Sequence, residues 1–140
     1  MKNEKINRFA RRFAVLGVAA FAGLGVAGPS AAESSSSLAG SWSGSGWVSF
    51  ANGNKERARC QARYSGGGDS YTLTATCATA SGKASQTAQV YKVSGSVYKG
   101  SFVNSDYNVH GTIRVKVNGN SQSVSLSGDG AAAQISLSRR

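Results

Sequence analysis

The sequence predicts an all-β domain: an eight-stranded antiparallel up-and-down barrel, with a β-sandwich as the alternative, tied by one disulfide and preceded by a signal-peptide helix. Three observations carry this expectation. From Gly40 onward, β-branched and aromatic residues alternate with polar ones, and Gly, Asn, Asp or Ser interrupts them every eight to twelve residues or so. No helical pattern appears in that span, and the sole proline, Pro29, lies before it. Cys60 and Cys77 are spaced to face each other across a hairpin.

Residues 1–32 read as the export leader. Lys2, Lys5, Arg8, Arg11 and Arg12 precede an apolar run over residues 13–27, which Gly28 and Pro29 close. Ser30-Ala31-Ala32 supplies small residues for cleavage after Ala32. The run is shorter than the roughly 20 residues of a membrane span, so no stable span is expected after cleavage; an uncleaved anchor is the alternative. Ala14 stands where a twin-arginine signal usually has Phe, which favours the general secretory route. Residues 33–38 then read as a flexible polar tail, and residues 39–140 as the barrel.

The first strand, residues 40–50, places Trp42, Gly44, Gly46, Val48 and Phe50 on one face. Trp47 points outward if that strand is regular, and inward if a bulge at Gly44 or Gly46 turns it. Residues 51–54 turn the chain into the cystine hairpin of residues 55–79. There Cys60 faces Cys77, Ala62 faces Ala75 and Tyr64 faces Leu73, with the reversal on Gly66, Gly67, Gly68 and Asp69. The cystine lies on the apolar side, and Arg57, Arg59, Gln61 and Arg63 face water. Closing that loop contributes ~3 kcal/mol in the chain-entropy account.

Ser81-Gly82-Lys83 leads to a fourth strand, about residues 86–93, whose faces stay open because Ala88 and Val90 compete with Tyr91 and Val93. A fifth strand carries Tyr98, Gly100 and Phe102 inward. In the sixth, Tyr107, Val109, Gly111, Ile113, Val115 and Val117 alternate with polar residues. Asn118-Gly119 is a hairpin signal; Val124 and Leu126 mark strand seven, and Ala131, Ala133, Ile135 and Leu137 strand eight. Short connections make neighbours antiparallel, and closure removes open edges. Trp42, Phe50, Tyr64, Leu73, Phe102 and Ile113 are the expected core, filling the lumen but for at most a small apolar cavity.

Charge and chemistry narrow the function. The chain is formally +10; the leader's five basic residues and Glu4 account for +4, leaving +6 on the mature domain. In an exported protein that charge points to anionic lipid head groups or acidic glycans rather than nucleic acid. Two cysteines placed to pair suit an oxidising periplasmic or secreted location. No catalytic constellation, cofactor motif or metal set is expected: His110 is the sole histidine, and Asp69, Asp106 and Asp129 read as turn residues. The binding candidates are the row Arg57, Arg59 and Arg63, and Trp47 if it is exposed.

Gly40-Ser41-Trp42 followed by the up-and-down pattern resembles the Gly-x-Trp opening of the calycins, the lipocalins and avidins among them. The small periplasmic metalloprotease-inhibitor barrels are similar in size, disulfide and export. That resemblance implies either a cavity for a small apolar ligand or, through a tail such as Ser34–Ser37, insertion into a protease cleft. The Trp42, Cys60 and Cys77 pattern is also similar to that of short secreted alphaproteobacterial proteins, which implies no activity. The leading expectation is a non-catalytic envelope protein that binds an anionic component or a protein partner through its outer face.

Overall fold

The computed structural model describes residues 37–140; the leader and the tail up to Ser36 lie outside the described residues. Eight strands, β1 (Gly40–Ser49), β2 (Lys55–Gly67), β3 (Ser70–Thr79), β4 (Gly82–Ser94), β5 (Val97–Asn104), β6 (Val109–Asn118), β7 (Ser121–Gly128) and β8 (Ala131–Arg139), follow one another around the sheet. β8 pairs back onto β1, so the sheet closes as an antiparallel up-and-down barrel and not as a sandwich.

The hairpin register is the one the cysteine spacing implies. Cys60 lies opposite Cys77, Ala62 opposite Ala75 and Tyr64 opposite Leu73, and the disulfide joins β2 to β3. β1 runs without a bulge from Gly40 to Ser49, so Trp47 stays in the outward phase, opposite Arg57. The faces of β4 are settled by its neighbours. Ala88 lies between Leu73 and Phe102, and Val90 between Tyr71 and Gly100, which turns both inward and leaves Tyr91 and Val93 outside. The pairing then shifts between Lys92 and Ser94, a bulge that starts the turn into β5.

Close approach of strands depends on missing side chains. A Cβ on Gly44 would collide with the Ser136 carbonyl, so β1 can lie against β8 only with glycine there.

The two ends of the barrel differ. One end holds the β2–β3, β4–β5 and β6–β7 turns, and it is packed shut. Trp42, Tyr64, Tyr71 and Tyr98 meet edge to face in series, with ring centroids 6.5, 6.4 and 5.8 Å apart. Leu38 completes this plug: its side chain is fully buried, and its carbonyl accepts a 2.9 Å hydrogen bond from Trp42 Nε1. Ser37 and Leu38, expected in the flexible tail, therefore belong to the barrel. Arg139 lies 4.3 Å from the Trp42 ring and donates to the carbonyls of Ser37 and Ala39, fastening the entering chain to β8.

Trp42, Tyr64, Leu73, Phe102 and Ile113 are buried as expected. Phe50 is not part of that core: it lies beyond the end of β1, half-buried at the opposite mouth. Tyr107 is also displaced from its expected inward position. Asn108 adopts a positive φ of 54°, which holds Tyr107 in the β5–β6 turn, 52% exposed. Among the described residues one buried polar side chain lies on the inward phase, Gln122, whose Oε1 accepts a 2.6 Å hydrogen bond from Tyr64 OH. Burial holds the Tyr64 phenol far above its ordinary pKa, keeping it a neutral donor.

Candidate functional site

At the end opposite the plug the lumen is open. Strand alternation sends Val48, Ala84, Leu126, Ala133 and Ile135 into it, with Phe50 and Tyr107 at the mouth, and small side chains on several strands leave the space unfilled. The result is an apolar cup of about 250 Å³ with Phe102 and Cys77 in its wall. Side chains therefore fill the lumen only at the plugged end, and the expectation of a lumen filled throughout is corrected: small residues leave the other end as an apolar cavity that opens to solvent.

One polar group interrupts the lining. Gln86, half-buried on the inner face of β4, accepts a 3.2 Å hydrogen bond from Asn104 Nδ2 and directs its own Nε2 at Cys77 Sγ, 3.1 Å away. Sulfur is a weak acceptor, so this amide keeps donor capacity for a better one. Sequence alone does not place Gln86, because the two phases of its strand compete.

Carboxylates order the mouth by binding backbone from one loop to the next. Glu56 accepts from Ser81 Oγ at 2.5 Å and from Ser81 N at 3.1 Å; Asp106 accepts from Ser85 N, and Asp129 from His110 N. The Ser81 hydroxyl above all, then Thr79 and the Ser81 amide, hold the Glu56 carboxyl below its usual pKa. Asp106 and Asp129 are turn residues as expected, and each also fixes the neighbouring strand. The His110 side chain is exposed on the outer wall.

The outer-face candidates are brought together in part. Trp47 is 45% exposed, with Lys55 Nζ 5.3 Å and Arg57 Cζ 5.7 Å from its ring centroid, so the tryptophan and the arginine row form one surface. Arg59 stands between Ser45 and Ala78, and Arg63 donates to Ser41 Oγ at 3.1 Å. Arg114 and Lys116 lie on β6 and do not extend that row.

No protein-family profile matches the sequence, and no curated protein does. Solved structures do match in fold. The chain shares its architecture with designed β barrels. A redesigned barrel, mFAP1, bound to DFHBI gives a TM-score of 0.60 at 9% identity, over 74% of this chain and 94% of that one. A de novo designed fluorescence-activating β barrel gives 0.58 at 14%, over 76% and 97%. A third, mFAP0, also bound to DFHBI, gives 0.60 at 13%, over 73% and 98%. At these identities the likeness is one of fold.

Proposed function

We propose that this protein is a non-catalytic carrier, in the manner of the calycins, that holds one small and mostly apolar molecule in the open cup. The observation that carries the reading is the unfilled, apolar end of a barrel whose other end is plugged by its own side chains. Burial of a ligand's apolar surface there gains about 25 cal/mol per Å². At about 250 Å³ the cup falls just under the ~300 Å³ of drug-sized sites, so the occupant is a single ring or a short aliphatic chain. A hydrogen-bond acceptor on it would meet Gln86 Nε2. Barrels of the same fold, mFAP0 and mFAP1, are bound to DFHBI, which supports small-molecule binding by a barrel of this architecture.

The test is a titration with a panel of one-ring aromatics and short-chain acids, read by displacement of an environment-sensitive dye and by native mass spectrometry. One-to-one saturable binding is expected. Ala133→Phe, which fills the cup, should weaken it at least tenfold while the melting temperature is kept. A panel without saturable binding, or binding indifferent to Ala133→Phe, would sink the reading.

The cation-flanked Trp47 supports a second reading, in which the outer face of β1 and β2 binds an anionic envelope glycan or a protein partner. Replacing Arg57, Arg59 and Arg63 together with Ser should then weaken binding of an acidic glycan at least tenfold at low salt. Affinity that is the same at 0.05 and 0.5 M salt would count against it. Both readings belong to an exported, periplasmic or secreted protein, a setting in which the Cys60–Cys77 bond persists.

A further inference from the structure

The charges of residues 37–140 are unevenly spread along the barrel. Glu56, Asp106 and Asp129 are all at the mouth, whereas Asp69, in the β2–β3 turn, is the one acidic side chain of the plugged half among the described residues. That half carries Arg63, Lys92, Lys99, Arg114, Lys116, Arg139 and Arg140. Arg139 is occupied with Trp42 and the entering chain, and Lys92 lies 5.8 Å from the Tyr98 ring.

Three of the others form a patch on the outer wall of β4, β5 and β6. Tyr91 lies opposite Lys99, Lys99 lies opposite Arg114, and Lys116 follows one outward position further toward the plugged end, opposite Val97. No Asp or Glu occurs anywhere in these three strands. Lys99 and Arg114 are thus like charges directly across a strand pair, an arrangement that destabilises a sheet, with no carboxylate in these three strands to offset it; Asp69, whose carbonyl accepts from Lys92 N, adjoins the end of β4. Two apolar groups are exposed at the same place, Tyr91 at 55% and Val93 at 56%, beside the β4 bulge. A purely solvating wall needs neither the repulsion nor the exposed tyrosine and valine.

We propose that this wall docks the barrel onto an anionic lipid surface. Lys99, Arg114 and Lys116 would meet phosphate groups, which relieves their mutual repulsion. Tyr91 and Val93 would enter the head-group layer, where tyrosine's apolar ring and polar tip are both satisfied. That combination favours a lipid surface over a soluble polyanion, which offers the cations charge but gives the exposed valine nothing to enter. Adsorption through the β4–β6 wall of the plugged half leaves the cup, at the other end of the strands, free to exchange its ligand.

The test uses the full chain with Trp47→Phe and Tyr91→Trp, so that the reporter reads this wall whatever else on the chain touches lipid. Vesicles of phosphatidylcholine with phosphatidylglycerol should shift its emission to the blue, and pure phosphatidylcholine vesicles should not. Each cation near such a surface changes affinity about fivefold, so Lys99→Ser with Arg114→Ser should weaken binding about 25-fold, and 0.5 M salt should abolish the shift. Arg57→Ser with Arg59→Ser should leave it intact. An unshifted reporter, an equal shift with neutral vesicles, or an equal shift with dextran sulfate as a soluble polyanion would overturn the proposal. So would loss of the shift in the Arg57/Arg59 variant but not in the Lys99/Arg114 variant, which would move the contact to the other wall.

Discussion

Trp42→Ala is expected to remove about 4 kcal/mol of stability, close to the largest loss a single core truncation gives. The indole is fully buried and holds the plugged end together in three directions. It meets Tyr64 edge to face at 6.5 Å, donates to the Leu38 carbonyl and stacks under Arg139. Alanine would leave a cavity, strand the Leu38 carbonyl without its donor and detach the segment that brings the chain into β1. For a domain of this size the loss should lower the melting temperature by on the order of 20 °C, and urea unfolding should give the matching free energy. Trp42→Phe keeps most of the ring contact and should lose less than half as much. If Trp42→Ala cost under about 1 kcal/mol, the plug would not be what closes that end.

The same residues show what could be read in the sequence. A period of two is a local signal, so the strands, the hairpin register from Cys60 and Cys77, and the inward set around Tyr64, Leu73 and Ile113 were all legible. Leu38 was not, because a lone leucine after a serine run has no periodicity; only the closed barrel shows the hole that it fills. Tyr107 kept the inward phase of its strand in sequence but lost it in space, since the left-handed Asn108 ends the alternation. Phe50 had the correct phase but one step too many, falling past the last ladder pair of β1.

Which end of the barrel is empty was also hidden. Alternation says which side chains point inward, whereas filling depends on how small residues from different strands stack at one level. Ala84, Gly128, Ala131 and Ala133 come from three strands and gather at the mouth only once the barrel closes. The arginine row and Trp47 were each visible, but their union depended on β1 running without a bulge.

Gly100→Ala provides the sharper test of that closure, because the ordinary expectation has the opposite sign. In a regular strand, alanine in place of glycine reduces the freedom of the unfolded chain and stabilises by about 0.4–1 kcal/mol. Gly100 sits opposite Val90 on one side and Ile113 on the other, and an added Cβ would run into the Gln89 carbonyl oxygen and the Val90 Cα. These are backbone atoms held by the β4–β5 ladder, so no rotamer change can make room. The strands must separate, and with them the packing of Val90, Phe102 and Tyr98 around the closed wall. A loss of at least about 3 kcal/mol is expected, at the upper end of what overpacking does. Gly95, in the turn between β4 and β5, has open space where a Cβ would go, so Gly95→Ala should be neutral or slightly stabilising. Parallel urea titrations separate the two contributions: the Gly95 variant reports unfolded-chain entropy, and the difference between the variants reports strand approach. A Gly100→Ala protein as stable as the Gly95 variant would mean that β4 and β5 are not drawn together by the curvature of a narrow barrel.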